Sequence, residues 1–106
     1  MINVVLRSRQ DSYKIIEISG HSTENADDMQ GKLVCSAVSS AAIMAANTIT
    51  EIIGDKADIQ VDDGYLSLQV KETENNKSVI SGLIFHLDQL SCEYPDRIKI
   101  TMEVEP

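Results

Sequence analysis

A change of hydrophobic period does most to limit how this chain can fold. Across residues 32–53 the apolar side chains Val34, Val38, Ala41, Ala42, Ala45, Ile49, Ile52 and Ile53 recur close to every 3.6 residues, and Gly54 supplies a stop. On either side the period falls to two. Ile2, Val4 and Leu6 alternate with Asn3, Val5 and Arg7, residues 13–18 are rich in aromatic and β-branched side chains, and Gln10-Asp11-Ser12 separates the two runs as a turn. Downstream, Ala57, Ile59, Val61 and then Leu66, Leu68, Val70 alternate with polar neighbours around Asp62-Asp63-Gly64, a two-residue hairpin signal. Helical spacing returns at Val79, Ile80, Leu83, Ile84, Leu87 and Leu90, capped by Asn75, Asn76 or Ser78 and ended before Pro95. Ile98, Ile100, Met102 and Val104 close the chain as a strand.

The order ββαββαβ predicts an α+β fold. Strands that alternate in polarity expose one face, and each helix offers a single apolar stripe. The economical architecture is therefore a two-layer sandwich of a mainly antiparallel sheet with both helices on one face. A length of 106 residues with 42% apolar content fits one domain spanning 1–106. Small residues crowd the first half of the long helix (Ser36, Ala37, Ser39, Ser40), which permits a close approach to the sheet or to a second copy; packing within the monomer is the more economical explanation.

Charge narrows the partners. Seventeen acidic against nine basic residues give a net charge of −8, which argues against nucleic acid and favours basic or neutral partners. The sequence holds no run of about 18 apolar residues, and its first ten residues carry Arg7 and Arg9 without the apolar core of a leader. The expectation is a cytoplasmic protein with no membrane partner and both cysteines reduced.

Only two histidines and two cysteines occur, and one of each stands at the two lips of a single loop. His21 follows Ser19-Gly20 at the end of the second strand, and Cys35 opens the long helix. Between them residues 22–31 are polar, carry Glu24, Asp27 and Asp28, and end on Gly31. Composition allows a mobile loop or an ordinary crossover equally well. A thiol in the opening turn of a helix meets unpaired amides and the positive end of the helix dipole, which favour the nucleophilic thiolate. His21 would act as general acid and base, and the amides of Cys35 and Ser36 would stabilise an oxyanion.

Blander readings stand beside this one. A cysteine on the apolar side of a helix is more often a small buried hydrophobe, and Cys92, at the end of the second helix, suits that description better than Cys35. His86 falls outside the apolar stripe and reads as a surface residue. A zinc site from His21, Cys35, His86 and Cys92 lacks the short paired spacing of structural zinc modules, so no metal or cofactor is expected.

The run Gly20-His21, then a polar loop, then Gly31-Lys32-Leu33-Val34-Cys35-Ser36-Ala37-Val38-Ser39 resembles the signature of the ribosomal-processing cysteine protease family, Prp, and the resemblance extends over essentially the whole chain. It implies a cytoplasmic bacterial endopeptidase, usually a homodimer. Such an enzyme removes a short N-terminal extension, after an aromatic-rich motif, from protein number twenty-seven of the large ribosomal subunit. It further implies His21 and Cys35 as the catalytic dyad. Ser22, Glu24, Asp27, Asp28 and Gly31 would belong to a gating loop that orders on substrate, its acids steering a basic chain. One position departs from the pattern: the family usually has an acid three residues before the cysteine, and this chain has Lys32. A non-catalytic, ribosome-associated binding module of the same fold is the competing expectation.

Overall fold

Five strands and two helices follow one another in the expected order. The computed structural model describes residues 1–104 apart from Ser22 and Glu24. Strands β1 (Ile2–Ser8), β2 (Tyr13–Ser19), β3 (Ala57–Asp62), β4 (Tyr65–Lys71) and β5 (Ile98–Val104) form one sheet in the order β3-β4-β2-β1-β5. Every neighbouring pair is antiparallel except β1 and β5. Register aligns the alternation across the sheet: Ile59, Leu68, Ile16, Leu6 and Met102 stand in one row, and Val61, Leu66, Ile18, Val4 and Ile100 in the next. These rows face the helices. The opposite face carries polar side chains, including Arg7 paired with Glu17 and Glu103.

Helix α1 spans Met29–Asn47 and continues as a wider π turn over Thr48–Ile53, ending on Gly54 at φ +81°. Val34, Val38, Ala42, Ala45, Ala46 and Ile49 bury its stripe in the core. Ile52, expected inside from its spacing, is instead 80% exposed. A π turn takes more residues than 3.6, so it rotates the last side chains out of phase with the stripe. By length and composition Met29–Ile53 would suffice to cross a membrane; here its apolar stripe is packed within the fold.

Helix α2 spans Glu74–Glu93 and buries Ile80, Leu83 and Leu87. Its cap is Thr73, which accepts from the Asn76 amide at 3.2 Å, and not the expected Asn75, Asn76 or Ser78. Asn76 is fully buried and donates from Nδ2 to Asp55 at 2.8 Å and to the Lys71 carbonyl at 3.1 Å. It therefore ties the end of α1 to the start of α2. Desolvation is what makes such a buried amide need its partners.

Candidate active site

His21 begins where β2 stops. Gly20 turns the chain there at φ +89°, a conformation that favours glycine, and its amide donates to the Gly64 carbonyl at 2.9 Å. A Cβ on Gly20 would collide with the Met1 carbonyl. The Met1 ammonium donates to the His21 carbonyl at 2.7 Å. The imidazole lies over Gly64 in the β3–β4 turn, so close that a Cβ there would stand 2.8 Å from Nε2. Residue 21 is thus held between the N-terminus and a hairpin turn that the Ser19–Tyr65 pairing brings alongside.

Cys35 approaches from the other layer. It is half-buried on α1, packs against the core, and lines with His21 a cleft of about 140 Å³ whose walls include Ser39, Ile43, Val61 and Asp62. Neither Cys35 nor Cys92 is in a disulfide. Among the described residues, the carboxylate that comes within 4 Å of the imidazole belongs to Asp63, with Oδ1 3.9 Å from Nε2 and the side chain 96% exposed. That is beyond hydrogen-bond length, and its influence is weak and screened. A larger cavity, about 510 Å³, lies between α2 and strands β1 and β5 and presents neither cysteine nor histidine. No cluster of three or more His, Cys, Asp or Glu side chains able to hold a metal is found among the described residues.

The helix start differs from expectation, and this moves several residues. Asp28 caps α1, its Oδ1 accepting from the Gly31 amide at 3.0 Å, so Cys35 is the seventh residue of the helix and not part of its opening turn. Only the first four amides of a helix lack internal partners; those of Cys35 and Ser36 fall within the i to i−4 pattern and are not available as oxyanion donors. Asp28 also receives a forked pair from Arg97, at 2.7 and 3.2 Å, while Arg97 Nε donates to Gln30 at 3.2 Å. Gly31 is buried where these groups cross: a Cβ would strike the Thr23 side chain and stand 2.7 Å from Arg97 Nη1. Asp28 and Gly31 therefore anchor the helix to the start of β5. Asp27 is exposed, its amide donating to Asn25 at 2.9 Å. Ser22 and Glu24, the other expected gate residues, lie outside the described residues. Lys32 is exposed on α1, and so are His86 and Cys92 on α2, the latter against the expectation of burial.

Reasoning from sequence missed Asp63, Gly64 and Arg97. Only strand order puts the β3–β4 turn against His21, and no local pattern encodes that order.

The Gly31 amide, then the Arg97 guanidinium, hold the Asp28 carboxyl below the usual carboxylate range. A depressed folded-state value means that the capping contribution is present above the unfolded value near 3.9 and is lost as pH falls through the lower folded one. The urea midpoint of wild type is expected to exceed that of Asp28→Asn at neutral pH, and the gap to close below about pH 4. A gap independent of pH would show that the charge on Asp28 contributes nothing.

The family model described as cysteine protease Prp matches residues 1–99. No curated protein matches by sequence. Among solved structures, SMU.848 from Streptococcus mutans superposes with a TM-score of 0.82 at 18% identity, covering 99% of this chain and 96% of that one. The ribosomal processing protease Prp from S. aureus, with a covalently linked product peptide, gives 0.83 at 18% identity over 97% of this chain and all of that one. The same S. aureus protease with a substrate peptide gives 0.80 at 18% identity, with the same coverage.

Proposed function

The chain belongs to the cysteine protease Prp family, and from that premise we propose that it is a cysteine endopeptidase working through His21 and Cys35. One observation carries the assignment: these two residues, from different layers of the fold, line the same small cleft. In the proposed reaction His21 accepts the Cys35 proton as Sγ attacks the scissile carbonyl carbon. The tetrahedral intermediate collapses with cleavage of the C–N bond, and the leaving amine takes the proton from His21. Water, deprotonated by His21, then hydrolyses the thioester and restores Cys35. Ser39, one turn beyond Cys35, lines the same cleft, and its hydroxyl is the proposed oxyanion donor.

The proposed substrate is the N-terminal extension of large-subunit ribosomal protein twenty-seven, processed in the cytoplasm by a homodimer. The S. aureus relative was solved with substrate and product peptides, which supports a peptide substrate. The net charge of −8 suits a basic ribosomal chain. Incubation with a peptide spanning the extension, followed by mass spectrometry, tests this: a single cleavage after the aromatic-rich motif is expected. Lys32 in place of an acid favours the second reading, a binding module of the same fold, which predicts saturable binding with no cleavage.

Asp63 is an acid near enough to influence His21, but its exposure limits it. Asp63→Ala is expected to lower kcat by no more than about tenfold, with KM unchanged. A loss near that of a dyad variant would give Asp63 a far larger part than its geometry indicates.

A further inference from the structure

The sheet ends, beside the cleft, in a strand whose inner face is only partly roofed. Ala57, Ile59 and Val61 of β3 pair with Val70, Leu68 and Leu66, which are buried beneath the helices. They face the same way, yet Ile59 is 40% and Val61 65% exposed. Helix α1 overlies β4 and leaves this stripe open. On α1 the four-residue steps Cys35, Ser39 and Ile43 run along one side, toward the stripe. Ile43 is 43% exposed, and Ile43, Val61 and the dyad line one continuous cleft. The alternation of β3 directs Asp58 and Gln60 to the other face, and Asp62, at the end of the strand, stands at the rim of the cleft; all three are exposed. As the last strand in the sheet order, β3 has no strand paired to its outer edge among the described residues.

Resting on the protease reading above, we propose that β3 is the substrate platform: a peptide flanking the scissile bond adds to its outer edge as an extra strand. Its alternate apolar side chains lie on Ile59, Val61 and Ile43, and its basic side chains lie beside Asp58 and Asp62. Two observations select this occupant. The stripe runs without a break into the cleft holding Cys35, so a strand bound there leads its chain to the nucleophile. The edge is acidic, so a second copy of β3 would bring like charges together, whereas a basic peptide is attracted. β3 is six residues long, which sets the length of peptide it can pair.

Strand addition has a readout that ordinary apolar binding lacks, because only every second residue of an added strand turns its amide toward the edge. The experiment uses the extension peptide with a single N-methyl group moved along it one residue at a time. Binding to Cys35→Ala protein is followed by fluorescence anisotropy, and cleavage by wild type is followed in parallel. An alternating pattern is expected, with affinity falling about tenfold at every second position within one flank. Ile59→Ser and Asp58→Lys, both outside the cleft, are expected to raise KM for this peptide by about fivefold to tenfold while leaving turnover of a short amide substrate unchanged. Cleavage by wild type with no alternation, or with equal effects on long and short substrates, overturns the platform and leaves the protease reading standing. Alternation in binding without any cleavage by wild type keeps the platform and overturns the protease.

Discussion

Replacing Cys35 by alanine is expected to lower kcat for the extension peptide by at least about 1,000-fold while the protein stays folded. The thiol is the nucleophile of the proposed reaction, and removing it removes the covalent route. Cys35 stands at the half-buried margin of the α1 stripe, whose buried members are Val34, Val38, Ala42 and Ala45. Alanine has the highest helix propensity, so the helix is not weakened by the change itself. Cys92→Ala supplies the control, since that residue is exposed on α2 and away from the cleft; its activity should equal wild type. Chromatographic quantification of the product, with thermal melting of each variant, checks both parts. Persistent cleavage by folded Cys35→Ala would move the nucleophile elsewhere.

The elements were legible because period and burial are tied. A strand that buries one face must alternate, so Val4, Ile16 and Leu68 announced themselves, and register then set them on one surface. The histidine and cysteine at the two lips of one loop already suggested a Cys/His pair, and the resemblance added to that expectation; no local pattern, however, specifies that the two meet in one cleft. The helix start was hidden by Gly31, because glycine costs roughly 1 kcal/mol in a helix interior. Tertiary structure overrides that cost: Thr23 and Arg97 cross the helix there and leave no room for a Cβ. The π turn was equally invisible, since Ile52 and Ile53 fit a regular helical stripe until the backbone widens.

The helix start also changes how the site must work. With Asp28 capping α1 and Arg97 holding Asp28, the opening turn is tied to the β5 end of the sheet. Cys35 thus projects from a braced second turn. Preorganisation of this kind costs stability elsewhere only if the bracing groups are unpaired, and here the carboxylate, the guanidinium and the Gly31 amide pair with one another.

Gly64→Ala should separate the position of His21 from the stability of the fold. Gly64 has φ +67°, and holding a side chain in that left-handed region costs roughly 1–2 kcal/mol. For a chain of this size that predicts a fall in Tm of about 5–10 °C. The added Cβ would also stand 2.8 Å from His21 Nε2, so the contact must open, and the imidazole, as the far end of a side chain, is the group expected to move. A displacement near 1 Å in a reacting group is worth about 100-fold in rate, which is the loss of kcat expected here. Gly54 provides the matched control. It has φ +81° and nothing within 4 Å of where a Cβ would stand, so Gly54→Ala carries similar strain without touching His21. The two variants should melt alike and differ about 100-fold in turnover. If both lost activity equally, the loss would follow from strain alone, and the contact between Gly64 and the imidazole would have no part in catalysis.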